Sequence, residues 1–504
     1  MKNRLELYLF ATAIATAIGC TTDPSEVILD EEPTELAACP AVPVVDIDRS
    51  LFVSPTAPLE QAELRLRFSV PRIMKQILTS AGTPRPLNDT ELWQRWWDTQ
   101  KSSVGSAFPD NPHCNDAGGT INGFPVACPR NEGALSTSLP DSHLPVALVY
   151  RPDLTPTDFS PCGEARIVIA KPSDASGRNL PIFEASIPNP EPSCPMAGCR
   201  KIAQFWAKLS ANPNFSQRLD ALERFYFTGL TAALDGVATS PAISAKNLGL
   251  PDASGARRGQ VRTNQFMTGP NPQIWQLREF KMNITCPTSF TCKLFFEPVS
   301  DKTNPFGALF NDTNPQPLGP AYRNQFLGQL SALSPQDVNA IGMATGASFN
   351  AGQSNASGSE NDYGVHFLLG NPAGFRLAVT NQLAVLGIPL TADNIVTRAT
   401  TQSCGGCHQL SNNDLLGGLD SAGNPLRWPP SAGFVHTLES GNRSAALNNV
   451  FLPKRKSILE QFLASSCPTL CPAPVEPAPL ADPTATARSS EEQPMTIAGK
   501  RMVH

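Results

Sequence analysis

Three apolar stretches, PVALVY at 145–150, RIVIAK at 166–171 and NLPIFEASI at 179–187, decide the fold of this 504-residue chain. Each is short, rich in apolar and β-branched residues and bounded by residues typical of turns, which is the pattern of a β-strand. Further strand-like stretches lie at 260–267, 274–282 and 291–299. Together these stretches predict a sheet that is largely antiparallel.

Helical periodicity surrounds these strands. The predicted helices cover residues 70–81, 90–101, 199–209 and 215–227. Trp93, Trp96 and Trp97 recur at i, i+3 and i+4, so they share one face of the second helix. We interpret this stripe as core packing rather than a ligand platform. Strands and helices together predict an α+β domain over residues 59–319.

From about residue 320 the pattern becomes helical as far as residue 466. Ser334 followed by Pro335 predicts the start of a helix, with Ser334 as its cap. The remaining predicted helices cover residues 375–388, 391–402 and 453–465.

The N-terminus has the form of an export signal. A charged start is followed by an apolar run from Leu7 to Ile18, which is too short to span a bilayer. The run ends in Ala17-Ile18-Gly19-Cys20, which resembles a bacterial lipobox. The resemblance implies a lipoprotein signal peptide over residues 1–19 and a lipidated Cys20. An ordinary signal peptide that is cut nearby is the alternative.

The predicted lipid places the protein in the bacterial cell envelope. It would anchor the chain to a membrane, and Thr21, where an Asp would indicate inner-membrane retention, favours the outer membrane, at its periplasmic or its outer surface. Residues 20–58 are acidic and rich in Pro, which predicts a tether. Residues 467–504 lack apolar periodicity and predict a disordered tail.

Composition excludes one class of partner. The net charge of −5 and the lack of any Lys/Arg run longer than three residues give no indication of nucleic-acid binding. The 49 Pro residues and the 16% of charged residues are typical of a loop-rich, extracytoplasmic protein.

The 13 cysteines also fit an oxidising compartment. Cys20 as a lipid site and two cysteines discussed below leave ten, which is enough for five disulfides. Local spacing suggests three pairs, Cys114–Cys128, Cys194–Cys199 and Cys286–Cys292. The pairing of Cys39, Cys162, Cys467 and Cys471 is left open.

Cys404-Gly405-Gly406-Cys407-His408 is the pattern for covalent attachment of a c-type haem. Random placement would give the spacing roughly 0.004 times in a chain of this composition. A dithiol or disulfide and half of a metal site are the alternatives. A structural zinc site needs further ligands at suitable spacing, and a redox dithiol usually follows a strand in a βαβ unit.

The segment from about 390 to 466 resembles a class I cytochrome c, with a helix, the CxxCH motif, a loop and a closing helix in order. The resemblance implies a small all-α module that binds haem c through Cys404 and Cys407, with His408 as the proximal iron ligand. It implies electron transfer with a redox partner that the sequence does not identify.

The second axial ligand is the open point of this interpretation. His436 is favoured, because no Met lies between Cys407 and Met495. A vacant or water-bound position, or a ligand such as Met343 or His366, is the alternative. Arg427 and Trp428 could bind the haem propionates and cover the porphyrin edge, or could form a plain turn.

Two further functions are kept as alternatives. The first is a non-redox structural or binding lipoprotein in which Cys404 and Cys407 form a disulfide. The second is a haem enzyme of the peroxidase type with an open sixth position. Since none of the common hydrolase, phosphate-binding or dinucleotide-binding motifs is present, we assign no catalytic residue and favour an electron carrier or binding protein.

Overall fold

The structure is a computed structural model that describes residues 44–82, 87–128, 142–172, 178–266, 275–288 and 291–465. Predictions for the signal peptide, Cys20, most of the tether and the tail lie outside these residues. In the described part of the chain, no helix has both the length and the apolarity to cross a membrane.

The centre of the fold is an antiparallel sheet. Along the chain, the strands are β1 (Phe52–Val53), β2 (Thr120–Ile121), β3 (Phe124–Pro125), β4 (Leu144–Arg151), β5 (Glu164–Ala170), β6 (Asn179–Ser186), β7 (Gln260–Phe266), β8 (Trp275–Thr288), β9 (Thr291–Val299), β10 (Ser354–Asn355), β11 (Leu415–Leu419) and β12 (Pro425–Arg427). Eight of them form one sheet in the order β1-β4-β5-β6-β7-β8-β10, with β9 also paired to β8. Its strand pairs are antiparallel, which confirms the predicted α+β class and sheet type.

The helices surround this sheet. They are α1 (Pro58–Arg67), α2 (Val70–Ala81), α3 (Asp89–Asp98), α4 (Pro195–Leu209), α5 (Phe215–Glu223), α6 (Ala232–Asp235), α7 (Gly319–Leu327), α8 (Leu330–Leu333), α9 (Tyr363–Leu368), α10 (Leu377–Val385), α11 (Ala392–Thr400) and α12 (Leu452–Ala464). The predicted helix start at Ser334 is wrong, because Ser334 ends α8 and its hydroxyl bonds back to the Ser331 carbonyl. Asp337 instead caps the next short helical turn, where its carboxylate accepts the Asn339 N–H.

Alternation along the strands gives the sheet two different faces. Arg166, Glu184 and Arg262 lie on one face, in neighbouring registers of β5, β6 and β7. Phe183, one residue from Glu184, lies on the other face and contacts Trp96 of α3. The tryptophan stripe is therefore packed in the core, as predicted, and α3 closes that face.

One hydrophobic core runs through both regions that the sequence analysis separated. Buried side chains of the sheet, of α4 and of α11 and α12 belong to the same cluster, and the described residues lie in one compact unit. Phe159 stacks on Phe462 of α12, with ring centroids 5.7 Å apart. The segment predicted to be all helical also contains the antiparallel pair β11–β12. A separate all-α module is therefore not confirmed.

Two of the three predicted disulfides are confirmed, Cys114–Cys128 and Cys286–Cys292. The pair Cys194–Cys199 is wrong, because Cys199 is bonded to Cys162. Cys194 caps α4 and Cys199 lies five residues on, so their side chains point in different directions around the helix. Cys199 is thereby directed to the segment before β5.

Candidate functional site

The CxxCH motif lies directly after α11, against the end of the sheet. Thr391 begins α11 with a capping box to Asn394, and a wide π-helical turn covers Gly406–Leu410. The backbone N–H of Gly405 donates to Ser354 of β10 at 2.8 Å. A Cβ on residue 406 would collide with the Thr400 carbonyl, so this close packing requires glycine there. The two glycines of the motif thus allow a tight turn beside the sheet.

The two motif cysteines are buried and form no disulfide. Cys404 packs with Trp275 and Leu277 of β8, whereas Cys407 belongs to the main core. Burial raises the pKa of both thiols far above the ordinary value for cysteine. Reactive redox cysteines have a lowered thiol pKa, so this pair does not have the electrostatics of a dithiol redox site.

His408 is held by a hydrogen bond at one ring nitrogen and by a stacking contact. Its Nδ1 lies 2.9 Å from the carbonyl oxygen of Phe434 and its ring stacks on Trp275 at 5.2 Å. Asn264 Nδ2 also lies 3.2 Å from this Nδ1, but it lies 3.3 Å from the Phe434 carbonyl as well and can donate there. Because a carbonyl can only accept, we assign the proton to Nδ1 and the lone pair to Nε2. Burial lowers the pKa of His408 to about 4, which keeps the ring neutral. Histidines that ligate metals are oriented by such a bond.

His436 lies beside His408 and Cys407. Its ring centroid lies 4.7 Å from that of His408. Its Nδ1 lies 2.8 Å from the Ser444 hydroxyl, and its Nε2 lies 3.1 Å from the Cys407 sulfur. Burial, reinforced by His408, lowers the pKa of His436 well below its ordinary value. The structure therefore brings together the predicted residues Cys407, His408 and His436.

A cavity opens between the motif and the sheet. It contains about 770 Å³ of space free of atoms, part of it open to solvent, and Cys404, His408 and His436 line it. Its apolar walls come from the sheet and from the segment that precedes α12. The side chains of these walls are Phe52, Val149, Val168, Leu180, Ile182, Leu277, Val435, Leu447 and Phe451.

Four arginines line the same cavity, from β4, β5, β7 and α12. They are Arg151, Arg166, Arg262 and Arg455. Asp153 binds Arg151 at 2.6 Å and lies 3.5 Å from Arg455. Burial, and then the charge of Arg151, lowers the pKa of Arg455 well below its ordinary value. Guanidinium groups that converge on a cavity suit a ligand with carboxylates.

These arginines were not predicted from the sequence. They are separated by up to 304 positions, between Arg151 and Arg455, and come together only through the tertiary fold. One available signal was the charged positions within otherwise apolar strands, Arg166 and Glu184, which indicate a strand face that does not pack as ordinary core.

Arg427 and Trp428, which were predicted to contact a haem, do not line the cavity. Arg427 is exposed on β12, and its guanidinium donates to the Asn413 carbonyl at 2.8 Å. Trp428 is buried against Phe451, with ring centroids 5.8 Å apart, and its side chain hydrogen-bonds to Cys407. Trp428 thus contacts Cys407 of the motif without lining the cavity. The alternative ligands Met343 and His366 do not line the cavity either.

Within the described ranges, no three side chains among His, Cys, Asp and Glu are arranged to hold a metal ion. No family model, curated protein or solved structure matches the chain.

Proposed function

We propose that this chain carries one covalent haem c on Cys404 and Cys407, with His408 as an axial ligand. The observation that supports this most is the His408 ring, whose Nδ1 is bound to the Phe434 carbonyl while the ring lines the cavity. The unbridged thiols of the motif are the second support. A Cys404–Cys407 disulfide, as required by a non-redox binding lipoprotein, would leave the neutral histidine without an evident role.

The residues around the cavity fit the chemistry of a haem. Apolar walls from the sheet and from Val435 to Phe451 suit the flat macrocycle. The guanidinium groups of Arg151 and Arg455 suit the carboxylates of the porphyrin. When bound, a haem supplies a one-electron redox centre whose potential depends on the axial ligands and on burial.

We propose His436 as the second axial ligand. Its Nε2 contacts the Cys407 sulfur, and a thioether on that sulfur would remove the thiol hydrogen. The ring of His436 would have to move away from that of His408 before both histidines could hold one iron between them. The present centroid distance is 4.7 Å.

The cellular setting of the proposal is the bacterial envelope. The three described disulfides fit an oxidising compartment. Lipidation of Cys20 and attachment to the outer membrane complete the proposal. The expected partner is a protein that exchanges single electrons with the haem.

Production in a bacterium with a cytochrome c maturation system tests the proposal. We expect a coloured protein whose pyridine haemochrome spectrum is that of thioether-linked haem. Cys404→Ser/Cys407→Ser and His408→Ala should each lose this spectrum. The matched control Cys286→Ser/Cys292→Ser removes the disulfide of the β8–β9 hairpin and should keep this spectrum. A folded wild-type protein without colour would refute the proposal.

One observation favours a second candidate, a haem enzyme of the peroxidase type. Both nitrogens of His436 have hydrogen-bonding partners, Ser444 and Cys407, which suits a polar residue beside an open sixth position. High-spin iron that reacts with peroxide would favour this enzyme. Low-spin iron that does not react would favour the electron carrier.

A further inference from the structure

A buried carboxyl pair lies at the end of the charged face of the sheet. Asp301 follows β9 and is fully buried, as is Glu279 of β8. The Oδ1 atom of Asp301 accepts the backbone N–H of Glu279 at 2.7 Å. Its Oδ2 atom has no hydrogen-bond partner among the described residues. A buried carboxylate oxygen without a donor is costly, whereas a protonated oxygen is much less so.

The two carboxyls of the pair have different surroundings. Glu279 accepts hydrogen bonds at Oε2 from the Arg262 guanidinium at 3.0 Å and from the Lys302 backbone at 3.4 Å, while its Oε1, like Oδ2 of Asp301, has no partner among the described residues. Donors of this kind favour the ionised form. Two neighbouring buried carboxyls do not both ionise readily. The arrangement therefore favours the negative charge on Glu279 and makes Asp301 the carboxyl of the pair that takes up a proton more readily.

Arg262 connects this pair to the candidate haem site. It also lies 3.4 Å from Glu184 of β6, and it lines the cavity together with Cys404 and His408. Burial raises the pKa of the Cys404 thiol most; Arg262 opposes the increase, and the carboxylates of Asp301, Glu279 and Glu184 add to it. Because charges interact strongly in a buried setting, a change of charge at the motif will be felt at Asp301.

Some of the groups around Asp301 raise its pKa and others lower it. Burial raises the pKa of Asp301 to about 8, and Glu279 adds to the increase, while Arg278 and Arg262 oppose it. Arg278 and Glu279 come from β8 and Arg262 from β7. Lys302 follows in sequence and donates through its side chain to Gln260 at 2.6 Å. Cys404 faces the group from the motif segment.

We propose that Asp301 binds one proton when an electron enters the neighbouring haem site and releases it when the electron leaves. This inference rests on the proposed haem. An external one-electron donor supplies the electron, and the solvent supplies the proton that converts the Asp301 carboxylate to the acid. Reduction with proton binding leaves the net charge of the buried region unchanged, whereas reduction alone would make it more negative by one.

Spectroelectrochemical titration of the purified haem protein between about pH 5 and pH 9 tests the inference, since this range includes the ordinary and the raised carboxyl pKa. The midpoint potential should fall as pH rises, by up to about 59 mV for each tenfold change in proton concentration. Asp301→Asn should remove most of this slope. Above the pKa its potential should exceed that of the wild type, because the negative charge that stabilises the oxidised site is gone.

The control is Asp235→Asn, which alters another buried carboxyl, one that pairs with Arg224 and does not line the cavity. It should keep the wild-type slope. If Asp301→Asn does not fold, reduced-minus-oxidised infrared spectra of the wild type replace it, and these should contain a protonated-carboxyl band that appears on reduction. A haem protein with a flat pH profile or without this band would overturn the inference alone. A colourless protein would overturn the proposed function and, with it, the coupling.

Discussion

The two faces of the central sheet use the same strands for different purposes. On one face, Trp96 packs against Phe280 and Phe296, with ring centroids 5.5 and 4.6 Å apart, and α3 closes the layer. On the other face, Glu184 and Arg262 border a cavity that the CxxCH segment completes. Adjacent residues of one strand thus serve stability on one side and a binding site on the other.

The difference shows how the chain keeps charges in its interior. The aromatic face needs only close packing. The cavity face places Arg166 next to Glu184 at 3.1 Å and Arg262 next to Glu279 at 3.0 Å, so that each buried charge has a partner. Such pairs contribute little net stability. Because these ion pairs lie beside the cavity, we infer that they set the charge of the cavity.

The largest effect is expected on the aromatic face. Trp96→Ala removes a fully buried indole, which should lower the free energy of unfolding by about 3–5 kcal/mol. Urea titration measures this, with Val104→Ala as a control, because Val104 is 86% exposed. The folded fraction of the variant should keep its haem. Loss of haem from folded protein would mean that the two faces are not separable.

A somewhat smaller effect is expected on the cavity face. Arg262→Gln leaves Glu184 and Glu279 without their shared cation and should cost about 3 kcal/mol. Without the charge of Arg262, burial raises the pKa of both carboxyls. The variant should therefore lose stability as pH rises and these carboxyls ionise. We expect a larger difference from the wild type at pH 8 than at pH 5.

Thermal unfolding at the two pH values measures this difference. The control is Arg258→Gln, which breaks a pair with Asp252 in which the arginine is 49% exposed. It should have little effect at either pH. A pH-independent loss in Arg262→Gln would show that the guanidinium acts by packing instead of charge.

The smallest effect is expected at Arg427, which lies on neither face. Its guanidinium is exposed and bound to a backbone carbonyl. Arg427→Ala should change the free energy of unfolding by no more than about 0.5 kcal/mol and should leave the haem spectrum and potential unchanged. A shifted potential would place the porphyrin carboxylates near β12 instead of near Arg151 and Arg455.

The sequence predicted what depends on local pattern. Strands β4 to β9 follow from alternation and β-branched residues, and the Cys286–Cys292 pair follows from the hairpin that it spans. The helix before the motif follows from its Thr391 cap. In each case the residues that decide the element lie within a few positions of one another.

What the sequence could not predict depends on distant contacts. Cys199 pairs with Cys162, 37 positions away, because α4 packs beside the segment before β5. Arg455 reaches the cavity only because α12 packs against α4 and the helical turn at Pro152–Leu154, so the propionate role was predicted for Arg427, which is closer to the motif in sequence. The hairpin β11–β12 was missed because its strands are short, with glycines at 417 and 418 in left-handed backbone conformations.

Mass analysis of the denatured wild-type protein, made in a strain competent for haem attachment, tests the central claim most directly. We predict that the chain keeps the mass of one haem after denaturation, and that the added mass maps to the peptide that contains Cys404 and Cys407. Thiol alkylation should then leave both cysteines unmodified. A chain of unmodified mass, with Cys404 and Cys407 either alkylated or joined in a disulfide, would contradict the account.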